Sequence, residues 1–261
     1  MSVETKIFEY KEQLISYRVL GEHKSKRQFV WAHGWGQTHA VFLPLVEPWQ
    51  TNAQNILIDL PGFGDSPKPH LNWGTAEFAD LCAKLLATLP RTKRIWIGHS
   101  FGCRIGLQLA ARHSNSIDAL FLIAAAGLRP KRSRLGALTV RSKIMLFKAL
   151  NSLPIKEKTK LQQHFGSTDY RAAGEMRGIL TKVVNEDLSD IAKHTHCPVQ
   201  LVYGSKDTET PPEIGERLAR LVPNGHCVCL EGLDHYSVLD AGRHQIAFQL
   251  KQFINSMEKP R

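Results

Sequence analysis

The chain has 261 residues, 43% of them hydrophobic and 22% charged, the balance of a soluble globular protein with room for one large α/β domain or two small ones. No apolar run approaches the ~18 residues of a membrane span, and Met1-Ser2-Val3-Glu4-Thr5-Lys6 lacks the apolar core of a secretory signal. No membrane association is therefore expected, and a cytoplasmic location is. Five cysteines (82, 103, 197, 227 and 229) form an odd, scattered set rather than a disulfide framework, which fits a reducing compartment. The net charge of +10 is concentrated: ten Lys/Arg fall between Arg129 and Lys160, where the only acid is Glu157. Such a block can steer an acidic partner. It lacks the interleaved aromatics of a nucleic-acid surface, so nucleic-acid binding is not expected.

Ile7 to Tyr10 and Leu14 to Leu20 read as an opening hairpin. Gln28 to Ala32 is a buried strand that ends in His33-Gly34-Trp35-Gly36. Asn55 to Leu60 is another, stopped by Pro61-Gly62-Phe63-Gly64. Thr75 to Leu89 has helical spacing, with Phe78, Leu81, Leu85, Leu86 and Leu89 on its apolar face. A strand over Arg94 to Ile97 breaks into a helix over Cys103 to Ala111, and Ala119 to Ala124 is the next strand. After Gly127 the alternation stops for about seventy residues that are basic and helical in pattern. It resumes with a strand at Pro198 to Tyr203, a helix near Glu213 to Leu221, a strand at His226 to Leu230 and a helix around Arg243 to Ile254. Cys227 and Cys229, two apart on that last strand, are expected to pack on one face.

Strands alternating with helices imply a mainly parallel sheet, here of eight strands, covered on both faces. Residues 1–126 and 191–261 would form this core. Residues 127–190 would form a helical lid over the carboxyl ends of the strands, where α/β sheets bind ligands.

The chemistry centres on Gly98-His99-Ser100-Phe101-Gly102, which joins a strand to a helix. In a G-x-S-x-G turn the serine is strained and its hydroxyl exposed, and side chains at Gly98 or Gly102 would collide across the turn. Serine alone is a poor nucleophile, so a base, an acid and an oxyanion site must accompany it. Asp207 lies just past one strand, in Gly204-Ser205-Lys206-Asp207, and His235 just past the next, in Gly232-Leu233-Asp234-His235. The order Ser100, Asp207, His235 is that of α/β-hydrolases rather than of chymotrypsin or subtilisin. His235 would be the base, Asp207 its orienting partner, and the N–H groups of Trp35 and Phe101 the oxyanion donors. Blander readings stand beside these: Ser100 as a helix N-cap, His235 as a surface histidine, Asp59 or Asp234 in place of Asp207. His194-Thr195-His196-Cys197 looks like a metal cluster but has no matching second pair, so neither metal nor organic cofactor is expected.

HGWG at 33–36, DLPGFGDS at 59–66, GHSFG at 98–102, GSKD at 204–207 and GLDH at 232–235 together resemble the α/β-hydrolase fold serine hydrolases over nearly the whole chain. Cys103 departs from the pattern, since relatives often carry glycine there. The resemblance implies an acyl-enzyme esterase, expected to be a monomer, with an acyl pocket that includes Trp35, Phe42, Leu128, Phe147 and Leu150. Within the fold, HGWG, DLPGFGDS and IWIGHS look most like the pimeloyl-acyl-carrier-protein methyl ester esterases of biotin synthesis. That likeness implies a small acyl ester as substrate and a basic lid (Arg129, Lys131, Arg132, Arg134) docking an acidic acyl carrier protein. The rival readings are a carbon–carbon bond hydrolase of ring-cleavage products and a hydrolase-fold ligand-binding protein with little turnover.

Overall fold

A computed structural model describes residues 4–22, 25–129 and 168–258. Strands β1 (Thr5–Tyr10) and β2 (Gln13–Gly21) form the opening hairpin, turning through Lys11 and Glu12, both at positive φ. They are followed by β3 (Arg27–Ala32), β4 (Gln54–Asp59), β5 (Lys93–His99), β6 (Ala119–Ile123), β7 (Val199–Gly204) and β8 (Gly225–Leu230). The strands make one eight-stranded sheet in the order β1-β2-β4-β3-β5-β6-β7-β8. Only the β1–β2 and β2–β4 pairs are antiparallel. The described helices are α1 (Leu43–Val46), α2 (Thr75–Thr88), α3 (Phe101–Arg112), α4 (Thr168–Ala172), α5 (Arg177–Asn185), α6 (Ser189–Lys193), α7 (Pro212–Leu221) and α8 (Arg243–Glu258). None of them is long and apolar enough to cross a membrane.

The period of two along each strand divides the core into two layers. On β5, Trp96 faces one layer with Phe78 and Leu85 of α2 and Ile105 and Leu109 of α3. Ile95 and Ile97 face the other, with Leu45 of α1 and Leu250 and Phe253 of α8. The central strands are apolar on both faces because both faces are covered.

Two packing expectations are corrected. Phe42 is fully buried in the second layer with its ring 5.2 Å from that of Trp31, so it is a core residue and not part of an acyl pocket. A short 3-10 turn, His39–Phe42, rolls it under the sheet. Cys227 packs on the first layer, but Cys229, on the same side of the edge strand β8, is exposed, because α7 covers only part of that edge.

The loop after β4 is built on Asp59, which is fully buried and accepts hydrogen bonds from Arg18 Nη1 (3.0 Å), His39 N (2.7 Å) and Asp65 N (3.2 Å). Burial pushes its pKa up, but the His39 and Asp65 bonds outweigh that and the net shift is downward. Asp59 is thereby committed to holding this loop.

At the turn from β5 to α3 the backbone leaves no room. A Cβ on Gly98 would lie 2.7 Å from Gly102 C, and one on Gly102 would lie 2.0 Å from Ala32 O. Both obstacles are main chain, so neither yields cheaply. Gly102→Ala should destabilise the protein by roughly 1–3 kcal/mol or more, lowering Tm by several degrees in a thermal melt. An unchanged Tm would show that β3 and α3 are not locked together here.

Candidate active site

Ser100 sits between β5 and α3 at φ 48°, ψ −101°, a conformation L-residues rarely adopt. It occupies the N-cap position but makes no side-chain capping bond, so the capping role does not account for it. Three hydrogen bonds hold the strained backbone: Ser100 N to Ile123 O (3.0 Å), Gly102 N to His33 O (3.1 Å) and Trp96 Nε1 to Gly102 O (2.9 Å). Cys103, fully buried, places its Sγ 3.1 Å from Gly98 O and 3.3 Å from Ile123 O, so it braces the turn from behind.

Asp207 and His235 come together from the loops after β7 and β8. His235 Nδ1 lies 2.8 Å from Asp207 Oδ2, and both residues are buried. The carboxylate also accepts from Glu209 N (2.9 Å), Thr210 N (2.8 Å) and Thr210 Oγ1 (2.8 Å). Burial raises the Asp207 pKa, but the His235 and Thr210 bonds more than reverse it, so the group is held as a carboxylate. An ionised carboxylate only accepts, so Nδ1 carries the proton and the Nε2 lone pair is left for the cavity side. Asp234 is occupied elsewhere, accepting from Tyr236 N and Ser237 N in the turn.

Ser100 and His235 line one cavity of about 390 Å³ together with Trp35, Phe101, Leu128 and Arg129. Phe101 is the first residue of α3, where main-chain N–H groups have no acceptor within the helix. The Trp35 ring packs edge-on to Phe101 at 5.4 Å, bringing the loop after β3 beside the helix start. Phe147, Leu150, Lys131, Arg132 and Arg134 lie outside the described residues. The candidate metal cluster forms no site: His194 Nδ1 contacts Asp190 O at 2.7 Å, and no group of three potential ligands occurs among the described residues.

The structure adds residues that motif reading missed. His99, the variable position of G-x-S-x-G, is buried with Nε2 3.0 Å from His235 O and Nδ1 2.9 Å from Gln37 Oε1. Gln37 Oε1 accepts from Gly34 N (2.9 Å), so this chain of contacts ties the loop after β3 to the loop carrying His235. Thr210, three residues past Asp207, falls at an Asx-turn spacing that could have flagged it. Asp169, Glu209 and Arg104 also line the cavity, and nothing local in the sequence announces them.

The alpha/beta hydrolase fold family matches residues 29–169, and the chain belongs to it. It is 25% identical over 228 residues to the pimeloyl-[acyl-carrier protein] methyl ester esterase of Vibrio cholerae, covering 80% of this chain and 87% of that one. It is 28% identical over 220 residues to the protein of the same name from Neisseria meningitidis, covering 78% and 69%. Among solved structures, a membrane phospholipase A superposes with a TM-score of 0.78 at 21% identity, covering 99% of this chain and 87% of that one. The enol-lactonase from Burkholderia xenovorans does so at 0.73 and 19%, covering 96% and 100%. At these identities the structural matches establish the fold.

Burial makes two site histidines acid-sensitive. It lowers the pKa of His99 to about 3 and that of His33 to about 4, from a usual 6.5. For His33 the geometry agrees: Nε2 accepts from Leu60 N (3.0 Å), which requires a neutral ring. Below about pH 6.5 the unfolded chain takes up protons that these folded histidines refuse, so stability falls as pH drops through that window. His33, whose geometry requires the neutral ring, should contribute about 1 kcal/mol per pH unit, levelling off near pH 4. Urea unfolding at pH 7, 6 and 5 measures the slope, and a flat profile would show that the rings are not held neutral.

Proposed function

We propose that the protein is a serine carboxylic-ester hydrolase working through an acyl-enzyme. One observation carries the reading: a serine in a strained, uncapped conformation shares a cavity wall with a histidine that a buried carboxylate orients. His235 Nε2 takes the Ser100 proton as Oγ attacks the ester carbonyl carbon. The N–H groups of Trp35 and Phe101 receive the charge that moves onto the carbonyl oxygen. The intermediate collapses, the C–O bond to the alcohol breaks, and His235 returns the proton to the departing oxygen. Water, deprotonated by His235, then attacks the acyl-enzyme; the acid leaves and Ser100 regains its proton. Asp207 fixes the imidazole and balances the positive charge that appears on it in both steps.

His235 must stand beside the leaving group, which places the alcohol in the narrow niche near Glu209, Tyr236 and Asp169. A methyl ester suits that space. Ser100→Ala and Asp207→Asn should each lower kcat by ~10⁴-fold or more while leaving the thermal melt in place. Appreciable turnover by a folded Ser100→Ala protein would remove Ser100 as the nucleophile.

The names of the relatives and the basic run that opens at Arg129 support a narrower reading, a methyl ester whose acyl chain is borne on an acidic acyl carrier protein. Arg129 is well exposed, with its Nε 3.9 Å from Asp187 Oδ2, and is free to meet a second anion. The same methyl ester is assayed with and without its carrier at low and high salt. Carrier docking predicts a preference for the linked ester that fades with salt; equal rates would leave a general carboxylesterase.

A further inference from the structure

Among the described residues two arginines are buried, Arg94 and Arg104, and they are treated differently. Arg94, 1% exposed, donates from Nε to Gln28 Oε1, from Nη1 to Ser116 O (3.1 Å) and from Nη2 to Pro90 O (3.2 Å). Its donors are absorbed by the protein, as a buried guanidinium requires. Arg104 is only 8% exposed, yet among the described residues it makes a single hydrogen bond, from Nη1 to Glu186 O (3.2 Å). No described carboxylate pairs with it. The Glu186 carboxylate is taken by Thr75 N and Oγ1, and that of Asp187 accepts from Ser189 N (3.0 Å). Arg104 nonetheless lines the cavity that holds Ser100 and His235.

We infer that Arg104 binds a carboxylate at the far end of the acyl chain, so that the preferred substrates are short monoesters of dicarboxylic acids rather than carrier-borne esters, whose far carboxyl is taken up in the link to the carrier; the direction of the acyl chain rests on the esterase reading above. Glu209 Oε2 lies 3.6 Å from His235 Nε2, and Asp169 and Tyr236 share that niche. Arg104 lines the larger cavity outside that niche, as do Leu128, Arg129, Leu180 and Val183. The leaving alcohol must stand at His235, so the acyl chain runs along the apolar wall toward Arg104. An acid group there meets a buried guanidinium that makes one hydrogen bond among the described residues and has the charges of Glu186 and Asp187 nearby without direct contact, and a guanidinium can take a carboxylate in fork fashion. The same acid group turned the other way would face two carboxylates, which gives one productive orientation. Length singles out the anion. Arg104 follows Ser100 by four residues of helix, about 6 Å along the axis. A short acyl chain reaches that far, whereas the phosphate of a carrier's prosthetic arm would lie well beyond.

The test compares kcat/KM for monomethyl adipate and methyl hexanoate, which differ only in the terminal carboxylate, in wild type, Arg104→Met and Arg104→Lys, with melts confirming the fold. Wild type should favour the anionic ester, chiefly through KM. Arg104→Met should reduce the anionic-to-neutral ratio roughly 30-fold, and Arg104→Lys, which keeps the charge without the fork, should fall between. An anionic-to-neutral ratio near one in wild type, or one that Arg104→Met leaves unchanged, would overturn the inference. If Arg104→Met does not fold, an unchanged ratio in Arg104→Lys has the same force. If wild type hydrolyses neither ester, the esterase reading fails separately, and calorimetry on Ser100→Ala then decides the anion site. Tighter binding of monomethyl adipate than of methyl hexanoate, weakened by adding Arg104→Lys and lost with Arg104→Met, supports it; equal binding overturns it.

Discussion

The contact of Gly102 with the end of β3 is the constraint from which the site follows. With no side chain at 98 or 102, α3 starts against the main chain of Ala32 and His33, and Ser100 is left in a backbone conformation it would not choose. Strain of this kind costs on the order of 1–3 kcal/mol and survives only where the surroundings overdetermine it. Here they do so from three strands. β3 accepts the Gly102 N–H, β5 supplies the Trp96 indole, and the last residue of β6 accepts the Ser100 N–H. Because those strands are parallel, their carboxyl ends lie side by side, and the loops after β3, β7 and β8 converge on the serine.

The same convergence explains what the sequence made legible. Central strands are buried on both faces and so are short apolar runs, and the helices between them carry a clean apolar stripe, so element order and site loops could be read locally. Ser100, Asp207 and His235 each stand at a strand end marked by glycine, which is why motif order sufficed to bring them together. Phe42 failed for the opposite reason. An aromatic just past a site loop looks the same whether its turn rolls toward the cavity or under the sheet, and packing against Trp31 decides that.

Arg104, Asp169 and Glu209 were illegible for a related reason. Each is a charged residue in an unremarkable setting, and its importance comes only from facing a shared cavity. The concentration of Lys/Arg after Gly127 had drawn the electrostatic reading outward, to a docking surface. The described structure adds charges inside: Asp169 and Glu209 share a niche with His235, and Arg104 lines the larger cavity outside that niche. Charge counted along the chain reports on long-range steering, whereas discrimination inside a pocket depends on single desolvated groups.

The two carboxylates near His235 illustrate that distinction. Asp207 is buried, touches Nδ1, and is held in place by main-chain N–H groups and the Thr210 hydroxyl. Glu209 approaches Nε2 to 3.6 Å, but its side chain is about half exposed and bonds at 3.3 Å to the exposed Tyr236 hydroxyl. Water and salt screen an exposed charge far more than a buried one. Stabilising the positive ring during reaction therefore falls to Asp207. In the proposed reaction Glu209 would stand on the side from which the alcohol leaves, where its charge would disfavour an anionic leaving group. Under the proposed reaction, a rigid inner acid and a screened outer one would divide catalysis from selection within a single histidine's surroundings.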